Sequence, residues 1–318
     1  YIPQDPTIFH ASLRENLTFY NPQASDDRLH AVIEKLGLSE LLAQLPQGLD
    51  TLIGEGARGL SGGQAQRIAL ARVVLDERKR IILFDEPMAA LDAATRLTLR
   101  EELLQLRREF SGVPLCLMGH SMGSFLARSY LIRYPGTLRA AIIMGTGWQP
   151  QAKLTGGRAV AEVVCAAQGP SAASKLVNDL AFGGYNKAFA PNRTGYDWLS
   201  ADSENVDRYI ADPLCGADAT VGLFRQMLHG IAFNQNPKNL ARMDSSLPVL
   251  LISGDRDPVG DMGKGVRRTA DAFRKAGLSD VTLKLYPGLR HEILNEGPVR
   301  QTVYEDIWHW LEPHLPAR

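Results

Sequence analysis

What this sequence has little of narrows its class before any motif is read. Only three cysteines, Cys116, Cys165 and Cys215, are spread over the 318 residues. They are odd in number and far apart, so no disulfide framework or metal spacing emerges, and a reducing compartment, the cytoplasm, is the expectation. No apolar run approaches the roughly 18–20 residues a membrane-spanning helix needs, and no signal peptide is visible. Neither sign of charge is in excess: 35 Lys and Arg face 35 Asp and Glu. No basic field therefore recommends nucleic acid or an acidic membrane as a partner. Internal repeats and low-complexity tracts are also missing. The chain begins at Tyr1 rather than Met, and its first residues read as the middle of an element, so a fragment or a fusion is expected.

What is present suits a soluble globular protein with a sizeable core: 45% hydrophobic and 22% charged residues, enough for one large or two ordinary domains. Residues 1–20 are loop-rich, and 26–45 carry apolar residues at helical spacing. Ser61 is a credible N-cap for a helix to about residue 75. Residues 81–84 and 114–118 read as buried strands, with a helix over 92–110 between them. Helix 121–134, strand 140–144, strand 248–253, helix 264–276, strand 281–286 and helix 299–311 follow. Residues from about 150 to 245 hold no clear strand and read as a helical insert. Strands alternating with helices predict an α/β fold, a mainly parallel sheet with helices on both faces.

Two groups of motifs carry chemistry, and they point in different directions. In the first third, Leu60-Ser61-Gly62-Gly63-Gln64 opens the predicted helix. A glycine pair at a helix N-terminus lets backbone N–H groups approach a phosphate, and the helix dipole favours that charge. Asp85 and Glu86 end a predicted strand. With Tyr1-Ile2-Pro3-Gln4 before them and Ala90-Leu91-Asp92 after, these segments resemble, in the family's order, the Q-loop, signature, Walker B and D-loop of an ABC transporter nucleotide-binding domain over residues 1–114. The resemblance implies Mg-ATP contacts from Gln4, Ser61, Gly62, Gly63, Gln64, Asp85 and Glu86. It also implies a switch role for His120, which follows Glu86 at about the family's distance. An ABC-type dimer or a membrane subunit would be the partner. The phosphate loop G-x-x-x-x-G-K-[ST] has no match, so ATP binding should be weak or lost.

Gly119-His120-Ser121-Met122-Gly123 fits the nucleophile elbow G-x-S-x-G, between a predicted strand and a predicted helix. Small residues at 119 and 123 would permit the tight turn that exposes Ser121. Asp255 and Asp257 follow the strand 248–253, and His291 lies in a loop after the next strand. The order Ser, Asp, His and the surrounding residues resemble an α/β-hydrolase of the monoglyceride lipase and lysophospholipase type over residues 115–318. The resemblance implies Ser121 as nucleophile, His291 as base, Asp257 as the acid, and the Met122 N–H as an oxyanion donor. Asp255 is the turn residue. The insert at 150–245 would be a lid whose aromatics and their neighbour, Trp148, Phe182, Tyr185, Phe189, Tyr196, Trp198, Phe224 and Phe233, could line an acyl pocket, with ordinary core packing the alternative for most of them. The strands that normally precede the elbow, and the second oxyanion donor carried after one of them, have no counterpart.

Both patterns share the strand that ends in His120, which keeps the switch spacing but sits in elbow chemistry. The sequence therefore reads as a chimera with a hybrid sheet, joined near 110–118. Three functions follow from it. The first is a serine ester hydrolase, slow for want of one oxyanion donor, acting on a small acyl ester without metal or cofactor. The second is an ABC-type module with an incomplete nucleotide site, and the third a catalytically silent fusion.

Overall fold

The computed structural model describes residues 6–19, 21–54, 59–75, 114–213, 215–216 and 218–315. Gln4, Asp85 and Glu86, the D-loop-like residues and the predicted elements at 81–84 and 92–110 lie outside the described residues. The chain divides into two compact units, Tyr1–Val113 and Pro114–Arg318.

In the first unit a short strand β1 (Ala11–Ser12) leads into helix α1 (Leu13–Leu17), closed at its start by a reciprocal cap between Ser12 and Glu15. The apolar periodicity of 26–45 becomes two helices, α2 (Asp26–Lys35) and α3 (Ser39–Ala43), rather than one. Gly37 at φ +64 causes the break. Its N–H donates to Glu34 O and the Leu38 N–H to Ile33 O, the paired bonds of a Schellman stop. Strand β2 (Leu52–Ile53) pairs antiparallel with β1. Helix α4 (Gly62–Leu75) carries Ile68, Leu70, Ala71 and Leu75 into a core shared with Leu13, Leu17, Leu29 and Ile33.

A polar hub sits beside that apolar core. The Arg72 guanidinium of α4 donates to Asn16 O, Asn16 Oδ1 and Thr7 O, each at 2.7 Å, and lies 4.9 Å from the Phe9 ring centroid. Asn16 is fully buried and returns its amide to Phe9 O at 2.9 Å and Ser12 O at 3.1 Å. Asn16→Ala would leave a buried guanidinium short of an acceptor, at a cost of about 2 kcal/mol or more. The expected outcome is faster hydrogen exchange of the α4 amides, read by mass spectrometry; unchanged protection would show that the hub is dispensable.

The second unit holds four parallel strands among its described residues, in the order β3 (Cys116–His120), β4 (Ala140–Met144), β5 (Val249–Gly254) and β6 (Val281–Tyr286). Met118, Ile142, Leu250 and Thr282 lie in register across the sheet. The period of two in the strands sorts the core into layers. Ala141, Ile143, Val249 and Leu251 pack with α5 (Met122–Arg133) and α11 (Lys264–Lys275) on one face. Ile142, Met144, Leu250 and Ile252 pack with Val303 of α12 (Arg300–Leu311) on the other.

Between β4 and β5 the insert is helical: α6 (Gln151–Gln168), α7 (Lys175–Phe182), α8 (Ser203–Ala211), α9 (Val221–Asn234) and α10 (Pro237–Leu240). It is tied to the helix after the elbow. Phe125 of α5 packs with Leu154 of α6 and Ile231 of α9, and the buried Asn234 amide donates to Phe125 O at 2.7 Å. Arg128 of the same helix is also fully buried. Its Nη1 holds Gly147 O at 2.8 Å and Thr146 Oγ1 at 3.2 Å, while Nε and Nη2 have no hydrogen-bond partner among the described residues.

Candidate active site

The strand β3 runs into α5 through one residue, Ser121, at φ 54 and ψ −120. A non-glycine side chain rarely takes this conformation, and it persists only where the surroundings over-determine it. The Ser121 N–H extends the ladder to Met144 O at 3.1 Å, and its carbonyl accepts from Ser124 Oγ at 2.6 Å. Gly119 is required by space: a β-carbon there would strike the carbonyl of Gly123 and come within 2.9 Å of Ala127 Cβ. Gly123 is not required for that reason, because a β-carbon on it would meet nothing within 4 Å. The turn needs the carbonyl of residue 123 close by, rather than a small side chain on it. Met122 is the first residue of α5, so its N–H has no carbonyl one turn earlier to bond.

The two residues expected to be acid and base, Asp257 and His291, are in contact. His291 Nδ1 lies 3.0 Å from Asp257 Oδ2, with 3% and 0% of the two side chains exposed. The carboxylate also accepts from Val259 N at 2.9 Å and Ser253 Oγ at 3.2 Å, so three donors share its two oxygens, and the imidazole is its one ionic partner among the described residues. Asp255, two residues earlier, instead accepts from Gly288 N at 2.8 Å and shapes the turn before His291. Among the described residues no hydrogen bond joins Ser121 Oγ to His291; such contacts are often loose before substrate arrives. His229 of α9 pairs with Glu162 at 3.0 Å.

His120 enters the same site from the other side. Its ring centroid is 4.7 Å from that of His291, and its Nε2 lies 3.2 Å from the His291 carbonyl oxygen. Burial, and next the neighbouring His291, hold its pKa down to about 4, so the ring is neutral at pH 7. The backbone of Gly145, at φ +59, passes beside both rings: a β-carbon on it would come within 3.1 Å of each.

The aromatics of the insert separate into two groups. Trp198 lies 5.2 Å from His291 with the rings tilted by 43°, with Tyr185 and Phe182 beyond it and Phe224 behind Phe182. Burial, with a smaller contribution from the Asp257 charge, pushes the Tyr185 phenol up to about 12. Phe189 instead lies under Arg290, Tyr196 against Tyr209, and Phe233 under Arg133.

Sequence reasoning passed over Glu296. It is almost fully buried and accepts from Ser200 Oγ and Ala201 N at 2.9 Å and Asp202 N at 3.0 Å, anchoring the segment after Trp198. Arg290 holds the same segment through the carbonyls of Asp197 and Ser200. A lone glutamate after the histidine carries no pattern that marks it in the sequence. In the first unit, Ser61 and Gln64 cap each other: Gln64 N–H donates to Ser61 Oγ at 3.3 Å and Ser61 N–H to Gln64 Oε1 at 2.9 Å. Among the described residues no group of three or more His, Cys, Asp or Glu could hold a metal ion, and no helix is long and apolar enough to cross a membrane.

Two measurements test this geometry. Ser121→Gly should relieve backbone strain that Ser121→Ala keeps, raising the unfolding free energy by about 1 kcal/mol relative to the alanine variant, read as a higher urea midpoint. Equal midpoints would remove the strained elbow. His120 is protonated in the unfolded chain below its ordinary 6.5 but stays neutral when folded until about 4. Stability should therefore fall as pH drops from about 6.5 toward 4, by up to about 3 kcal/mol, with His291, Asp257 and Glu292 as the facing charges. His120→Phe should flatten that part of the curve.

A family model described as serine aminopeptidase, S33, matches residues 99–298, and one described as ABC transporter matches residues 1–89. The chain thus joins an ABC transporter segment to a hydrolase domain. The glutathione/L-cysteine transport system ATP-binding/permease protein CydC of Bacillus subtilis (strain 168) is 50% identical over 106 residues, 33% of this chain and 18% of that protein. The mitochondrial iron-sulfur clusters transporter ATM1 of Saccharomyces cerevisiae is 43% identical over 98 residues, 31% of this chain and 14% of that protein. The chain spans about a fifth of the length of the curated relatives it matches first. Among solved structures, a thermostable carboxyl esterase from Bacillus coagulans aligns with TM-score 0.63 and 24% identity over 69% of this chain and 70% of that one. A lipase in its open form aligns with TM-score 0.61 and 26% identity over 71% and 74%. The second unit has the α/β-hydrolase fold.

Proposed function

The chain belongs to the serine aminopeptidase S33 family, and from that premise we propose that it is a serine ester hydrolase acting on small acyl esters of the monoglyceride or lysophospholipid type. The observation that carries the proposal is the buried hydrogen bond between Asp257 and His291, set beside a serine held in a strained strand-to-helix turn. His291, with its Nδ1–H donated to Asp257, presents Nε2 as the base. It takes the Ser121 proton as Oγ attacks the ester carbonyl, and returns that proton to the leaving alkoxide as the acyl-enzyme forms. Water then attacks the acyl group by the same route. Asp257 stays ionised, fixing the tautomer and stabilising the imidazolium.

The negative charge that develops on the carbonyl oxygen falls toward the N-terminus of α5, where the Met122 N–H and the helix dipole oppose it. The family's second donor loop has no counterpart in the sequence before the elbow, and one missing donor costs roughly 10²–10³ in rate. Slow turnover belongs to the proposal for that reason. The aromatic row from Trp198 through Tyr185 to Phe182 suits an apolar acyl chain rather than a charged peptide. No cofactor enters these steps.

A nucleotide function for the first unit is the weaker reading. The Ser61 and Gln64 side chains, which that reading needs at the phosphate, are engaged with each other. An ABC-type partner belongs to that reading alone.

The test is covalent labelling with a fluorophosphonate, with turnover of 4-nitrophenyl butyrate measured alongside. Labelling should vanish in Ser121→Ala, and Asp257→Asn should lower kcat by about 10²–10⁴ with KM little changed. A folded wild-type protein that neither labels nor turns over ester would replace this proposal with the silent-fusion reading.

A further inference from the structure

The residue before the nucleophile has no part in the steps above, yet it makes the most specific contact in the site after the acid–base pair. A carbonyl oxygen only accepts, so the approach of His120 Nε2 to His291 O at 3.2 Å fixes the proton on Nε2 and leaves Nδ1 bare. The two residues are 171 positions apart in sequence, so this bond joins the elbow directly to the loop that carries the base. Asp257 holds the His291 side chain at Nδ1, and His120 holds its main chain. The His120 ring also lies along the His291 ring at 4.7 Å with an interplanar angle of 37°. The site is cut to this fit: Gly145 alone leaves room for the pair, since any β-carbon there would press on both rings.

We propose that His120 is a positioning residue for the hydrolytic reaction: its Nε2–H anchors the His291 backbone and its ring face braces the His291 imidazole, so that the base keeps its aim at Ser121. The proposal rests on the ester-hydrolase reading for its kinetic readout, and on the Asp257–His291 contact alone for its spectroscopic one. Asp257 governs the rotation of the imidazole about its own axis. It does not govern the advance or retreat of the loop backbone, and a general base misplaced by about 1 Å can cost about 10²-fold. His120, covalently next to the nucleophile, sets that distance by construction.

Two substitutions separate the donor from the ring. His120→Phe keeps an aromatic face and loses the N–H. His120→Gln can place an amide N–H where Nε2 was. The expected result is a kcat for 4-nitrophenyl butyrate about 10–100-fold lower in the phenylalanine variant at unchanged KM, with the glutamine variant recovering most of the loss. The low-field proton resonance of His291 Nδ1–H on Asp257, followed by NMR in the resting protein, should broaden in the phenylalanine variant and sharpen again with glutamine. Wild-type kcat and an unchanged resonance in His120→Phe would overturn the proposal. Equal losses in both variants, tracking a fall in melting temperature, would also overturn it, because bulk packing would then be the whole effect. If the wild type proves inactive toward ester and probe, the ester-hydrolase reading fails, and the resonance in the two variants still decides whether His120 positions His291.

Discussion

A carboxylate removed wholly from water must find its donors inside the protein, and Asp257 finds three. Val259 supplies a backbone N–H, Ser253 a hydroxyl, and His291 an imidazole nitrogen. Each donor comes from a separate part of the unit: the end of β5, the turn after it, and the loop after β6. The four parallel strands must be in register for these ends to meet, and the two-sided core keeps them so. A neutral acid at 257 would leave the imidazole without a counter-charge. A displaced β6 would leave the acid with one fewer donor. The rest of the second unit can be understood as the scaffold that this buried pair demands.

Much of that scaffold was legible in the sequence. The apolar runs of β4 and β5 fit a strand buried on both faces, and the period-two sorting of their side chains follows from strand geometry alone. The helices after them carry ordinary amphipathic spacing. Ser121, Asp257 and His291 stood out as candidates because each falls just past a strand, at the end of an open parallel sheet where functional groups gather. What the pattern could not give was lateral contact. Nothing in the spacing says that His120 would turn toward the His291 carbonyl, or that Trp198 rather than Trp148 would reach the base. Glu296 is a further case, since its partners Ser200, Ala201 and Asp202 lie nearly a hundred residues upstream. The single helix read over 26–45 failed for a local reason: the periodic apolar residues continue through Gly37, and the backbone does not.

The first unit illustrates how one motif can serve two ends. The serine and glutamine of LSGGQ form a capping box, and that pairing alone accounts for a helix starting at Gly62. Ten residues on, Arg72 reaches Asn16 and Thr7. A helix whose start is sealed by its own side chains and whose far end is clamped by a buried guanidinium is a rigid rod. The cap and the clamp both form from side chains of the chain itself, so the start and the anchoring of this helix are accounted for without a nucleotide.

Three close backbone approaches frame the catalytic pair: Gly119 against Gly123, Gly147 against Val259, and Gly254 against the carbonyls of Leu289 and Arg290. All three couple residues numbered 119 or higher, beyond the ABC transporter match that ends at 89 and within the hydrolase match that starts at 99. A recombination between the two families that falls upstream of residue 119 therefore cuts none of them. The tight contacts that a hybrid would find hardest to rebuild therefore lie together in one uninterrupted block of the hydrolase match.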